Sequence, residues 1–244
     1  MKIYTGTSGY GYRQWEGKFY PDKIVPGAML RYYSQYFTTV EINNTFYRMP
    51  VENVLVSWAD QVPDDFIFAF KAPRAITHLK RLRNVAGEMD YLFKTLAVLG
   101  SRLGPVLFQL PASFRADETA LKAFLDLIPD GIPCAFEFRG RSWLNDEILD
   151  LLGEKGCSLC TADSEDNPAE KIVGTAPWGY LRLRRLDYGD ADLLRWVRSI
   201  RSQRWSRAFV FFKHEEDAKG PETAMRFNKL VLDERCSEHS RSVC

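Results

Sequence analysis

Short apolar runs rich in Val, Ile, Phe and Tyr alternate with longer stretches of helical periodicity along the whole chain. Eight such runs read as strands, at residues 3–6, 39–43, 66–71, 106–110, 134–138, 158–163, 179–184 and 208–214. Between them, helical patterns cover 28–36, 51–61, 87–99, 116–127, 146–155, 190–202 and 221–232. Asp146 and Asp190 fall where a helix starts, as N-caps or first-turn acids, and Pro221 suits a first helical position because its missing N–H costs little there. The connection after the sixth strand lacks a helical pattern and is interrupted by Pro168, Gly174 and Pro177. Such alternation is the mark of a parallel α/β fold. Eight repeats in 244 residues fit a (β/α)8 TIM-type barrel better than an open doubly wound sheet. No linker divides the chain, so residues 1–232 are expected to form a single domain, followed by a polar tail at 233–244.

The strands end in polar residues: Glu41 and Asn43, Lys71, Gln109, Glu137 and Arg139, Asp163, Arg182 and Arg184, then Lys213, His214 and Glu215. Alternate strand residues share a face, so Glu41 with Asn43, Glu137 with Arg139, and Arg182 with Arg184 should point into a barrel together, with Ile42, Phe138 and Leu183 outward. Burying a charge is costly unless it is paired, so this many on one axis point to a site at the C-terminal ends of the strands. An inert ion-pair network is the structural alternative. The ring carries both signs, which suits acid–base chemistry beside an anion. Glu41 and Glu137 are the expected acid and base, with Asp163 and His78 as further catalytic candidates. Lys71, Arg139, Arg182, Arg184 and Lys213 would hold an anionic group, Asn43 and Gln109 would orient hydroxyls, and Ser8 and His214 complete the expected substrate-binding set.

Composition narrows the partners. A net charge of +1 gives no global basic field, so nucleic acid is not favoured. No apolar run approaches a membrane span and the opening MKIYTGTSG lacks the apolar stretch of a signal peptide, so a cytoplasmic protein without membrane association is expected. The five cysteines, an odd number, are read as reduced thiols, and the lone Cys157/Cys160 pair as core rather than a zinc site. Gly6-Thr7-Ser8-Gly9-Tyr10-Gly11 matches no phosphate-loop spacing and reads as a tight turn. His214-Glu215-Glu216 has Ala218 where a zinc protease needs its second histidine. A divalent metal on Glu41, Glu137, Asp163 and His214 is the lesser alternative, because neighbouring cations would repel it, and no cofactor is expected. Trp15, Tyr20, Phe46, Tyr47, Trp143 and Trp178 lie near strand ends, to stack on a ligand or simply to pack. The segment entering the last helix is a common phosphate seat in barrels, opposed here by Glu222.

The runs Gly6-Thr7-Ser8-Gly9-Tyr10, Phe19-Tyr20-Pro21, Val40-Glu41-Ile42-Asn43-Asn44-Thr45-Phe46-Tyr47, Phe70-Lys71-Ala72-Pro73, Thr77-His78, Leu107-Phe108-Gln109-Leu110-Pro111, Phe136-Glu137-Phe138-Arg139 with Ser142-Trp143, and Phe212-Lys213-His214-Glu215 resemble the YecE-like family, domain of unknown function 72. The resemblance implies a barrel and a loose kinship with sugar isomerases, and no established activity. This chain departs from the family pattern at Tyr10-Gly11-Tyr12, where a tryptophan is expected early in the loop. The expected function is a cofactor-independent isomerase, epimerase or hydrolase acting on a small polar or anionic substrate, such as a sugar or phosphorylated compound. The alternative is a noncatalytic protein binding a nucleotide, nucleic acid or another anion. The sequence does not set an oligomeric state.

Overall fold

The computed structural model describes the backbone of residues 1–241 and the side chains of residues 1–234. Eight strands form: β1 Lys2–Thr7, β2 Thr39–Ile42, β3 Ile67–Lys71, β4 Leu103–Leu110, β5 Cys134–Phe138, β6 Ser158–Asp163, β7 Trp178–Leu183 and β8 Arg207–Phe212. All their pairings are parallel, each strand beside its neighbours in sequence, with β1 beside β8. Seven helices lie between or after them: α1 Pro26–Tyr33, α2 Glu52–Ala59, α3 Ala86–Leu96, α4 Glu118–Leu125, α5 Asp146–Glu154, α6 Asp190–Arg201 and α7 Lys219–Arg241. The expected eightfold barrel is therefore the observed one. The fourth strand starts earlier than expected, at Leu103, and the last helix runs past the expected 232 to Arg241. Gly104 explains the first difference: a Cβ there would sit 2.4 Å from Ile67 Cγ2, so glycine lets β4 approach β3 inside the strand.

The ring closes between β1 and β2 by a different device. Gly6 lies so near β2 that a Cβ would stand 2.1 Å from the Thr39 carbonyl oxygen. Beside it, Thr7 N–H donates to Tyr33 OH at 2.8 Å and that hydroxyl donates to Thr39 O at 3.1 Å, so a side chain from α1 bridges the seam. Above the seam Ser8 forms a parallel bridge with Glu41, and Gly9 N–H donates to Glu41 O at 2.8 Å. The turn holds Gly9 at φ +93°, a conformation glycine adopts without strain.

Strand periodicity separates two cores. One face of the strands packs under the helices, with Ile42, Phe108, Phe136, Leu183 and Phe212 buried there. The other face fills the barrel, where Tyr4, Ala69, Leu107, Ala135, Cys160, Trp178, Tyr180, Phe209 and Phe211 form a second cluster. On β7 the inward positions run Trp178, Tyr180, Arg182, so an apolar interior passes into a polar layer at its C-terminal end.

The β6–β7 connection carries no helix, as its prolines and glycine predict, and is tied down instead by side chains. Leu159 N–H donates to Thr175 Oγ1 at 2.8 Å, and Thr175 Oγ1 donates to Cys157 O at 2.7 Å. Asn145 and Asp117 cap α5 and α4, while Asp146 and Asp190 sit in first turns. Cys134, Cys157 and Cys160 are buried free thiols, and burial pushes Cys157 up to about 12. The side chains of Cys236 and Cys244 lie outside the described part. Among the described residues no helix is long and apolar enough to cross a membrane.

Candidate functional site

The polar layer is built around Arg182. Its side chain is 1% exposed and lies between two buried carboxylates. Nη2 donates to Glu41 Oε1 at 2.8 Å and Nη1 to Glu137 Oε2 at 2.6 Å, with Asn43 Oδ1 at 3.2 Å from Nη2. Glu41 accepts three more hydrogen bonds, from Ser8 Oγ at 2.7 Å and Asn43 Nδ2 at 2.9 Å on Oε1, and from Tyr180 OH at 2.7 Å on Oε2. Burial pushes the Glu41 carboxyl up, but the Arg182 guanidinium and these donors outweigh it and hold the group below the usual carboxylate range. Glu137 Oε1 accepts from Gln109 Nε2 at 2.7 Å and from Arg139 Nε at 3.4 Å. Burial opposes the charge on Arg182, yet the two carboxylates raise its pKa and keep it a cation.

Lys71 meets this network only through Gln109 and pairs with neither carboxylate. Its Nζ donates to Gln109 Oε1 at 2.8 Å and lies 4.0 Å from the centre of the Phe46 ring. Burial, then the positive charge of Arg182, lowers its pKa to about 8, against the raising influence of Glu41 and Glu137. Above the network opens a cavity of about 330 Å³ bounded by Lys71, Arg139, Arg182, Arg184 and Lys213. Ser8, Tyr12, Asn43, Asn44, Phe46 and Tyr47 complete its wall, and Glu215 is the one acid lining it. Like the Nε of Arg182, the buried Arg184 Nε has no partner among the described residues. Trp15 Nε1 donates to Glu215 O at 3.0 Å and fastens the loop after β8 to the loop after β1.

The family model for "Protein of unknown function DUF72" matches residues 4–242. The chain belongs to the DUF72 family. The UPF0759 protein YecE of Escherichia coli is 36% identical over 111 residues, 45% of this chain and 41% of that protein. The UPF0759 protein YunF of Bacillus subtilis is 29% identical over 151 residues, 59% of this chain and 52% of that one. These matches thus span about half the length of the curated relatives or less. Among solved structures, a DUF72 family protein of Thermotoga maritima superposes with a TM-score of 0.81 at 24% identity, over 95% of this chain and 100% of that one. Another, from Enterococcus faecalis, gives 0.75 at 19% identity over 94% and 95%. The resemblance carried by the sequence motifs is thereby borne out, and so is the barrel.

Not every expected residue of this DUF72 barrel reaches the cavity. Cys160 and Ala162 face inward on β6, so Asp163, one residue on, points outward. There its Oδ1 accepts from Ala169 N–H at 2.9 Å, and its Oδ2 from Arg185 Nε at 3.0 Å and Tyr188 OH at 2.8 Å. It anchors the loops around β6 and β7 outside the pocket. The same periodicity turns His214 outward between Lys213 and Glu215, where its Nε2 lies 2.8 Å from Arg184 O. With Asp163 and His214 turned away, the four residues considered for a metal do not converge, and no group of three metal-ligating side chains forms among the described residues. His78 sits on the rim, edge-on to Phe46 with ring centres 4.8 Å apart, and its Nδ1 is 2.8 Å from Thr77 Oγ1. Burial, then Lys71, Arg139 and Arg74, lowers its pKa.

Of the aromatic candidates, Trp15, Tyr20, Trp143 and Trp178 are core residues, each with its own polar atom donating to a backbone carbonyl. Phe46 and the exposed Tyr47 remain at the cavity. The loop into α7 closes on itself through Gly220 N–H and His214 O at 3.2 Å, with Lys219 and Glu222 paired across the first turn. Sequence reading missed Tyr180, although it lies on the inward face of β7 two residues before Arg182. It also passed over Asn44 as part of the wall, whereas Tyr12, in the loop where the family pattern is broken, does line it.

Proposed function

We propose that the barrel mouth binds a small anionic molecule and carries out proton transfer on it, with Lys71 rather than a carboxylate as the acid–base group. The observation that carries this reading is the distribution of charge around the cavity. Five cationic side chains and one acid line it, and both carboxylates beneath are already engaged by Arg182. A general base needs a lone pair aimed at the substrate. Glu41 has donors on both oxygens, as has Glu137, so they are better suited to fixing Arg182 than to taking a proton. Lys71, with a pKa of about 8, exchanges protons readily near neutral pH. Arg184, Arg139 and Lys213 would hold a phosphate or carboxylate, while the Ser8 hydroxyl, whose hydrogen goes to Glu41, would accept from a substrate hydroxyl. The volume suits a ligand of sugar-phosphate size.

The test is thermal denaturation with inorganic phosphate, sugar phosphates and hydroxy acids, since a ligand specific for the native state raises the melting temperature. The expected result is stabilisation by an anion that is lost in Arg184→Met and Lys213→Met. Equal stabilisation of those variants would place the anion elsewhere. An anion that binds at the cavity but is never turned over would favour the purely binding alternative.

A further inference from the structure

We infer that Lys71 is also a nucleophile, condensing with the carbonyl group of an anionic aldehyde or ketone to form an imine in the barrel mouth; this rests on the reading of the cavity as an anion site. Three features of the geometry single out this amine. It ends β3 on the inward face, at the end of the barrel where the strands open. Its Nζ is in no ion pair among the described residues, whereas Arg182 beside it is held by two carboxylates. Its one hydrogen-bond partner, Gln109 Oε1, only accepts. A carbonyl oxygen can orient an N–H of the neutral amine while leaving the nitrogen lone pair free. Gln109 is itself fixed by Glu137 at 2.7 Å, and Nζ lies over the Phe46 ring at 4.0 Å from its centre, so the amine is positioned with no carboxylate paired to it.

Only the neutral amine attacks a carbonyl. An ordinary lysine, with a pKa near 10.4, is neutral in about 0.04% of molecules at pH 7, and one near 8 in roughly a tenth. In the condensation the Nζ lone pair forms a bond to the carbonyl carbon as the C–O π bond opens. The C–O single bond of the resulting carbinolamine then breaks, C=N forms, and the oxygen leaves as water carrying both amine hydrogens. No oxidant or reductant takes part. Arg139, Arg184 and Lys213 on the cavity wall would seat the anionic group of the substrate. The imine would draw electrons from the neighbouring carbon and make its protons or bonds labile. The substrate class is thus a small carbonyl compound bearing phosphate or carboxylate.

The experiment treats the full chain with dihydroxyacetone phosphate or glyoxylate and sodium cyanoborohydride, and locates the reduced adduct by peptide mass mapping, with propanal as a neutral control. The expected adduct is at Lys71, formed about tenfold faster than on exposed lysines such as Lys94, absent in Lys71→Arg and Lys71→Met, and slowed by inorganic phosphate. Its rate should rise with pH to a midpoint near 8, the groups facing the amine being Arg182 from β7, Glu41 from β2, Glu137 and Arg139 from β5, and His78 from the turn after β3. Labelling spread over surface lysines without preference for Lys71 overturns the imine. If phosphate still stabilises the wild type and not Arg184→Met, the anion site survives that failure. A Lys71 adduct indifferent to phosphate upholds the imine and removes the anion site. The wild-type peptide map decides the point even if a variant folds poorly.

Discussion

Arg182 and Arg184 stand two residues apart on the same face of the same chain segment, yet their surroundings are opposite. Arg182 is buried and bonded to Glu41, Glu137 and Asn43. Arg184 is half-buried and lines the open cavity; among the described residues the Nε of both arginines lacks a partner, but only Arg182 has its Nη atoms bound to buried carboxylates. One step along the strand therefore separates charge that builds the barrel from charge available to a ligand. A ring of ionisable groups in a barrel is not all site and not all scaffold. Engagement by a buried carboxylate, more than charge or position, tells the two apart.

The sharpest way to break this contrast is Arg182→Met. It strands two buried carboxylates without their cation, a change that typically costs about 3–5 kcal/mol. For a chain of this size each kcal/mol lowers the melting temperature by roughly 2–4 °C. The triple variant Glu41→Gln, Glu137→Gln, Arg182→Met, neutral throughout, should recover much of the loss. A drop of under about 1 kcal/mol in the single variant would mean that Arg182 is not the keystone. The same network predicts an acid response. Glu41 is held below its unfolded value near 4.3, so its contribution is present above that pH and lost as pH falls through the depressed folded value. Urea titrations should show the wild type losing stability below about pH 4.3 more steeply than Glu41→Gln.

Asp163 tests the outward side of the contrast. Its carboxylate joins Ala169, Arg185 and Tyr188 across the loops that follow β6 and β7. Asp163→Asn should cost about 1–3 kcal/mol by leaving one of these donors poorly matched. Anion-induced stabilisation should be unchanged in it. A variant that folds normally and no longer responds to phosphate would return Asp163 to the site.

Period-two counting in the sequence was enough to place Glu41 with Asn43, Glu137 with Arg139, and Arg182 with Arg184 inside the barrel. The same counting, carried through β6 and β8, turns Asp163 and His214 outward. Lys213, His214 and Glu215 are consecutive and cannot all share one face. Strand-end polarity alone hid that distinction. What no local pattern contains is the saturation of Glu41, whose distant donors come from Ser8 just after β1 and from Tyr180 and Arg182 on β7. Those partners are 33, 139 and 141 residues away, and only the closed ring brings them together. Tyr33 bridging the β1–β2 seam was invisible for the same reason.

Arg184→Met addresses the available half of the pair. Its guanidinium holds nothing of the scaffold through Nε, so global stability should change by no more than about 0.5 kcal/mol. Affinity for the anion should fall about tenfold, equivalent to about 1.4 kcal/mol, read by calorimetric titration with phosphate or the best sugar phosphate. Loss of stability without loss of affinity would reverse the assignment of the two arginines.

Lys71→Met should have an effect of unusual sign. The folded protein holds this amine near 8, below the unfolded value of about 10.4, so the native state resists its protonation. Below about pH 8 both states are protonated and the folded protein bears the full cost of a cation beside Arg182. Between about 8 and 10.4 the native amine gives up its proton first and the cost is progressively relieved. Methionine keeps an unbranched apolar stem and removes the charge, together with its contact over the Phe46 ring. The variant should therefore melt roughly 2–4 °C higher than the wild type at pH 7, with the gap shrinking as the pH is raised through 8 towards 10.4. Its gain in stability should come with loss of any turnover, the pattern of a residue kept for chemistry at some expense to the fold. A variant less stable than the wild type at pH 7 would show instead that Lys71 supports the barrel, and would move it from the available charges to the scaffold.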